Sequence, residues 1–167
     1  VFVWIHGGGF GAGDKKSTPF KRECLEAGIS YASINYRLTH QAIYPAQMHD
    51  AARAIQFIRS KADAWNINPE LIAAGGNSAG SISTQWLAFH DDMADPQSDD
   101  PIARFSTRLS CGLAVNMVST CDPRVIKKII PGNAYRNKAF VKLFGLPQKW
   151  NCETDEIDDK LDAMIKD

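Results

Sequence analysis

The chain has 167 residues, with 19 basic and 19 acidic side chains and a formal net charge of zero. This length suits one domain with a sizeable core, and the neutral balance gives no reason to expect a nucleic-acid or anionic-membrane partner. No apolar run approaches the roughly 20 residues of a membrane-spanning helix, so no membrane span is predicted.

The four cysteines match neither a zinc site nor a C-x-x-C redox pair; they are Cys24, Cys111, Cys121 and Cys152. We expect buried free thiols, although the sequence leaves a disulfide open.

The first predicted element is a strand over Val1–Ile5, whose continuous apolar run is typical of strands covered on both faces. The glycine loop His6–Gly9 follows at once, and three successive glycines indicate unusual backbone angles or close approach to a ligand. A short helix over Pro19–Ala27 and a second strand over Ile29–Tyr36 come next. Because the chain starts inside what reads as a core strand, without a methionine, we expect an internal fragment whose compartment cannot be assigned.

A long amphipathic helix is predicted after Pro45. Its apolar residues recur at three- and four-residue steps, giving about five turns: Met48, Ala51, Ala52, Ile55, Ile58, Ala62 and Trp65. A strand over Leu71–Gly75 and a helix over Ala79–Phe89 follow. This alternation of strands and helices predicts right-handed crossovers and a parallel sheet.

The segment Gly76–Gly80 between that strand and helix fits the pattern G-x-S-x-G. A strand that turns directly into a helix brings two backbones together, and glycines avoid the clash of a Cβ. We expect Ser78 to take a strained backbone conformation with its hydroxyl above the sheet. The amide of Ala79 would then lie at a helix N-terminus, which favours negative charge.

The later part of the chain changes character. Cys111–Val118 is predicted as a strand, followed by helices over Val125–Ile130, Ala134–Phe144 and Glu153–Ile165. We interpret residues 122–167 as a helical cap inserted after a core formed by residues 1–121. The acidic stretch between Asp91 and Asp100 lacks EF-hand spacing and is interpreted as a solvated loop rather than a calcium site.

With both glycine motifs placed, the chain resembles the α/β-hydrolase superfamily, and within it the hormone-sensitive-lipase-like carboxylesterases and lipases. The residues that carry the likeness are His6–Phe10, Asn35–Leu38, Pro45 with Asp50, and Gly76–Gly80. The resemblance implies a partial three-layer α/β sandwich with a mostly parallel sheet. It also implies a small-molecule ester substrate, with neither a cofactor nor a metal.

The resemblance further implies that Ser78 attacks an ester carbonyl and forms an acyl-enzyme. The oxyanion would be held by the amides of Gly8, Gly9 and Ala79. His6 would support the glycine loop and take no part in proton transfer. Phe10 and Trp86 could face an acyl pocket, although core packing is the default for aromatic side chains.

The base that such a serine needs is missing from this chain. Three of the four histidines precede Ser78, and His90 lies 12 residues along the following helix, which is ~18 Å away. The acid and the histidine are therefore expected beyond Asp167. For Asp122, capping or turn formation is preferred over a catalytic role, and Arg37 and Asp50 are predicted to form a buried structural pair.

Two kinds of alternative function stay open. One keeps the chemistry and changes the substrate, giving a peptidase, a lactonase or a deacetylase. The other is a ligand receptor that retains both glycine motifs but lacks the histidine. The oligomeric state cannot be predicted from the sequence.

Overall fold

The computed structural model describes residues 1–147 and 158–165. Within these residues one sheet is formed by β1 (Phe2–Ile5), β2 (Tyr31–Ile34), β3 (Ala73–Asn77) and β4 (Cys111–Val115). The strand order is β2-β1-β3-β4, and all neighbouring pairs are parallel. The predicted parallel sheet is confirmed, and the carboxyl ends of its strands meet at one edge.

The helices flank this sheet. They are α1 (Lys21–Glu26), α2 (Ala46–Ser60), α3 (Ala62–Trp65), α4 (Ala79–Phe89), α5 (Pro123–Ile129), α6 (Lys138–Leu143) and α7 (Asp158–Ile165), with a 3₁₀ turn at Ala134–Arg136. No helix in the described ranges is long and apolar enough to cross a membrane.

Several predicted boundaries are wrong. The helix predicted over Ala134–Phe144 is a 3₁₀ turn and α6, separated at Asn137, and the strand predicted over Cys111–Val118 ends at Val115. The five-turn helix is divided at Lys61, whose φ of −101° and ψ of 7° leave the helical range, although the apolar pattern continues across the break. The strand predicted over Leu71–Gly75 starts two residues later, because the Leu71 amide donates to the carbonyl of Asn68 in a turn. The first part of the helix predicted over Glu153–Ile165 lies outside the described residues.

The core lies between the sheet and the helix pair α2 and α4. Fully or almost fully buried apolar side chains from both layers form it: Val3, Ile5, Met48, Ala51, Ile55, Ile72, Ala74 and Leu87. Burial of apolar surface of this kind is the main favourable contribution to folding. This core fixes the end of β3 against the start of α4, where the candidate site lies.

The acidic loop at 91–108 is held onto α2 by hydrogen bonds. Gln56 Nε2 donates to the carbonyls of Ala103 (3.2 Å) and Phe105 (2.9 Å). Asp92 Oδ1 accepts hydrogen bonds from the amides of Ala94 and Thr107 at 3.2 and 2.8 Å. These contacts use the acidic side chains as acceptors for the loop's own backbone. No group of three potential metal ligands gathers anywhere in the described part of the chain.

The cysteine prediction needs correction. Cys24, Cys111 and Cys121 are free, as predicted, but Cys111 is exposed and the other two are only partly buried. Cys111 is exposed because β4 is one of the two edge strands of the described sheet. Burial raises the pKa of the Cys121 thiol to about 12. Cys152 lies outside the described residues.

Residues 123–147 pack onto the loop before α2. The Tyr44 amide donates to the carbonyl of Leu143 at 2.8 Å, and the rings of Tyr44 and Phe144 lie 5.5 Å apart. The segment also reaches the glycine loop, since a Cβ added to Gly9 would lie 3.1 Å from the Ala139 Cβ. The division of the chain into a core and a cap at residue 122 stays a prediction.

Candidate active site

Ser78 occupies a strained turn between β3 and α4. Its φ of 53° and ψ of −113° lie where residues with a side chain rarely occur. The flanking glycines are required by close approach: a Cβ on Gly76 would lie 2.2 Å from the Gly80 carbonyl oxygen, and one on Gly80 would lie 2.0 Å from the Ile5 carbonyl oxygen. The strained turn predicted from the sequence is therefore present.

The backbone of Ser78 is fixed from two sides. Its amide donates to the carbonyl of Val115 in β4 at 3.0 Å, and its carbonyl accepts from the amide and the hydroxyl of Ser81 at 2.9 and 2.6 Å. The side chain is partly buried, and its hydroxyl makes no hydrogen bond within residues 1–147 and 158–165. The turn thus presents an unengaged hydroxyl at the carboxyl edge of the sheet.

The glycine loop lies at the same edge as Ser78. A Cβ on Gly7 would lie 2.7 Å from the Asn77 carbonyl oxygen and 3.5 Å from the Ser78 Cβ. Gly8 and Gly9 take φ values of 113° and 58°, which glycine tolerates and other residues rarely adopt. A side chain at Gly8 is also excluded sterically, because a Cβ there would lie 2.2 Å from the Ala12 carbonyl oxygen.

His6 is buried beside this loop and holds it through a hydrogen bond. The side chain is 3% exposed and stacks on Tyr36 with ring centroids 4.4 Å apart. Its Nδ1–H donates to the Gly7 carbonyl at 2.7 Å, which fixes the tautomer because a carbonyl only accepts. The Tyr36 hydroxyl donates to the His6 carbonyl at 3.0 Å, and burial raises the pKa of that hydroxyl.

The amides of Gly8, Gly9 and Ala79 make no hydrogen bond to any group in the described part of the chain. The Ala79 amide belongs to the first turn of α4, where backbone N–H groups lack partners within the helix. A helix N-terminus also favours negative charge. These donors are thus available to an anion at the carboxyl edge of the sheet.

His49 and His90 both contact Trp86. His90 follows the far end of α4 and stacks on Trp86 with centroids 4.0 Å apart, and the His49 ring lies 6.0 Å from the same indole. His40 lies in the exposed loop between β2 and α2. The expectation that His90 is too far from Ser78 agrees with its position after the last residue of an 11-residue helix.

An apolar cavity of about 160 Å³ begins one helical turn from Ser78. Ile82 and Trp86 of α4 line it together with Met48, Leu143 and Phe144. A larger cleft of about 650 Å³ shares Ile82 and Trp86 with this cavity. Trp86 thus lines a cleft, whereas Phe10 is 1% exposed and packs edge-on against Tyr36 in the core.

Two carboxylates take structural positions. Asp122 caps α5, accepting from the Arg124 amide at 2.8 Å and from its guanidinium at 2.8 to 3.2 Å, so the capping prediction is confirmed. Asp50 pairs with Arg37 through two guanidinium nitrogens at 2.8 to 3.1 Å. This pair was predicted to be buried, but the Arg37 side chain is 51% exposed, because it lies beyond the end of β2.

One contact at the site could not be predicted from the sequence. Asn116, just after β4, takes a φ of 49°, and its Nδ2 donates to Asn77 Oδ1 at 2.8 Å. The contact joins the ends of two strands that are 39 residues apart. A single asparagine after a strand gives no local signal of such a partner.

Comparison with known proteins places this geometry in a family. Residues 1–130 match the family model BD-FAE. An AB hydrolase superfamily protein of Schizosaccharomyces pombe is 32% identical over 123 residues, covering 72% of this chain and 33% of the relative. Neutral cholesterol ester hydrolase 1 of Rattus norvegicus is 32% identical over 84 residues, covering 47% of this chain and 21% of the relative.

A solved structure extends the comparison to the fold. The acetyl ester-xyloside bifunctional hydrolase from Caldicellulosiruptor lactoaceticus is 32% identical, with a TM-score of 0.63 over 68% of this chain and 42% of that one. The chain spans a third or less of the length of the two curated relatives. The chain belongs to the BD-FAE family and carries part of the α/β-hydrolase fold.

Proposed function

We propose that this chain supplies the nucleophile and the oxyanion hole of a serine hydrolase that cleaves carboxylic esters. The observation that carries the proposal is the strained turn at Ser78 beside the glycine loop, with a hydroxyl that makes no hydrogen bond among the residues that the structure describes. The relatives named as ester hydrolases support an ester rather than an amide substrate.

In the proposed reaction, the Ser78 Oγ attacks the ester carbonyl carbon while its proton passes to a base. The carbonyl oxygen becomes an oxyanion that accepts hydrogen bonds from the amides of Gly8, Gly9 and Ala79. One such donor typically lowers the barrier by about 3–4 kcal/mol. The alcohol leaves with a proton from the protonated base, and water then hydrolyses the acyl-enzyme by the same route.

The base and its acid partner belong, in this proposal, to residues outside these 167. Two observations support this: His6 donates its Nδ1–H to the Gly7 carbonyl, and His90 follows the far end of α4. An isolated serine hydroxyl is a weak nucleophile at neutral pH. The 167-residue chain by itself is therefore expected to bind an ester without turning it over.

Turnover of p-nitrophenyl acetate tests the proposal. The 167-residue chain should hydrolyse it no faster than buffer, whereas a longer polypeptide that also supplies an acid and a histidine should turn it over. Ser78→Ala should abolish that turnover, and Ser119→Ala, at an exposed serine of the neighbouring cleft, should leave it unchanged. Turnover that survives Ser78→Ala would place the nucleophile elsewhere. Ligand binding without turnover in the longer polypeptide would favour the receptor alternative.

A further inference from the structure

The Tyr36 side chain contacts residues at both ends of the three-glycine run. Its hydroxyl donates to the His6 carbonyl, and its ring lies nearly parallel to the His6 imidazole, at an interplanar angle of 19°. At the far end of the run, the Phe10 ring meets the phenol edge-on at a centroid distance of 5.9 Å. Tyr36 is 6% exposed and lies 30 residues after His6. A residue just after β2 therefore holds the loop that follows β1.

The His6 imidazole connects Tyr36 to the Gly8 amide. The Nδ1–H of His6 is bonded to the Gly7 carbonyl, and that carbonyl shares one peptide unit with the Gly8 N–H. A peptide unit is planar, and in a trans unit such as this one the N–H points opposite to the C=O. The imidazole therefore sets the direction of the Gly8 amide, and the Tyr36 ring holds the imidazole.

The Gly9 amide is fixed in a different way. It shares its peptide unit with the Gly8 carbonyl, which accepts hydrogen bonds from the amides of Gly11 and Ala12, both at 3.1 Å. These donors lie within the loop itself, so the Gly9 amide keeps its direction without Tyr36. The Gly8 amide, by contrast, depends on a side chain that follows another strand.

The backbone that carries the phenol is itself anchored. The amide of Arg37, the residue after Tyr36, donates to Asp50 of α2 at 2.8 Å. The Thr39 amide donates to the Phe10 carbonyl, also at 2.8 Å. The segment after β2 is thus tied both to α2 and to the glycine loop, as a positioning role for Tyr36 requires.

We propose that Tyr36 is a positioning residue of the oxyanion hole, which holds the His6 imidazole so that the Gly8 amide stays directed at the developing oxyanion. This inference rests on the proposed serine hydrolysis. Because the charge develops only in the transition state, a misdirected donor lowers kcat and leaves KM unchanged. Tyr36 transfers no proton, since burial raises the pKa of its hydroxyl and keeps it a donor well above neutral pH.

Tyr36→Phe and Tyr31→Phe form a matched pair of variants, made in a polypeptide that contains this chain with its acid and histidine. Tyr31 lies at the other end of β2 and donates to the Pro19 carbonyl at 2.8 Å, so each variant loses one hydrogen bond from a phenol to the backbone. With p-nitrophenyl acetate, Tyr36→Phe should lower kcat about tenfold without changing KM. The loss should be the same between about pH 6 and 9. Tyr31→Phe should keep the parent kcat, and circular dichroism establishes that both variants are folded.

A double variant tests the route through Gly8. If Tyr36 acts by directing the Gly8 amide, Tyr36→Phe should lower kcat by less than about twofold when Gly8→Ala is already present, because coupled residues are not additive. Independent roles would multiply the two losses instead. The proposal is overturned by multiplied losses, by equal kcat values in Tyr36→Phe and Tyr31→Phe, or by a rise in KM in place of the fall in kcat.

Failure of the proposed function gives a different result, because turnover would then survive Ser78→Ala. In that case the amide resonance of Gly8 in NMR spectra decides whether Tyr36 directs this amide. The resonance should move in Tyr36→Phe and stay in place in Tyr31→Phe. A Gly8 resonance that does not move in Tyr36→Phe contradicts the inference whatever the substrate.

Discussion

Gly7 packs directly against Ser78, so closely that a methyl group on Gly7 would lie 3.5 Å from the serine Cβ and 2.7 Å from the preceding carbonyl oxygen. Two motifs about 70 residues apart in the sequence therefore share one edge of the sheet. The parallel pairing of Ile5 with Gly76 produces this contact, because both strands end at that edge. The assignment of Ser78, Gly8, Gly9 and Ala79 to one site depends on it.

Gly8→Ala should reduce ester turnover by about 10²-fold in the polypeptide that carries the complete catalytic machinery. The new Cβ would lie 2.2 Å from the Ala12 carbonyl oxygen at a φ of 113°, so the loop must move and its amides lose their direction. Steady-state kinetics with p-nitrophenyl acetate would measure the change. Gly28→Ala is the matched control, since Gly28 also has positive φ (72°) but open space around it. Equal losses in both variants would contradict the role given to the loop.

The exposed pair of Arg37 and Asp50 should stabilise the fold modestly. Asp50 accepts from the Arg37 amide and guanidinium and so joins the end of β2 to α2. Asp50→Ala should lower the free energy of unfolding by about 1 kcal/mol, measured by urea denaturation. Arg22→Ala, which removes a surface contact with Glu23, should have no measurable effect. A larger loss from Arg22→Ala than from Asp50→Ala would contradict this account.

The Asp122 cap should make stability depend on pH. Burial raises the pKa of its carboxyl, but the hydrogen bonds from Arg124 outweigh burial and hold the pKa below its ordinary value. A carboxyl with a lowered folded-state pKa stabilises the fold above its unfolded pKa of about 3.9, and this contribution is lost as the pH falls through the folded value.

Asp122→Asn keeps an acceptor for the cap and removes the charge, so it isolates this effect. The variant should be less stable than the parent at pH 7 by about 1 kcal/mol, and the difference should shrink as the pH is lowered below about 4. Urea denaturation at several pH values measures it. A difference that grows on acidification would have the wrong sign for this account.

The features that the sequence predicted correctly depend mostly on residues that are close together along the chain. The helix over Ala79–Phe89 has the predicted bounds, and it starts directly after the G-x-S-x-G turn. The parallel pairing of the strands followed from the alternation of strands and helices. The strained serine and the cap at Asp122 also follow from short-range rules on glycine turns and helix ends.

What the sequence could not predict depends on distant partners. The division of the long helix at Lys61 leaves the apolar periodicity intact, so no pattern marks it. The exposure of Cys111 follows from the edge position of β4, and that position is a property of the whole sheet. The contact of Asn116 with Asn77 joins two strand ends whose proximity appears only once the strands are paired.

The nucleophile can be tested most directly by mapping a covalent adduct. A polypeptide that contains this chain with its acid and histidine should be treated with a fluorophosphonate, digested and analysed by mass spectrometry. The account predicts one adduct, on the Ser78 hydroxyl, and no labelling of the Ser78→Ala variant. An adduct on another serine, or full labelling of Ser78→Ala, would contradict it.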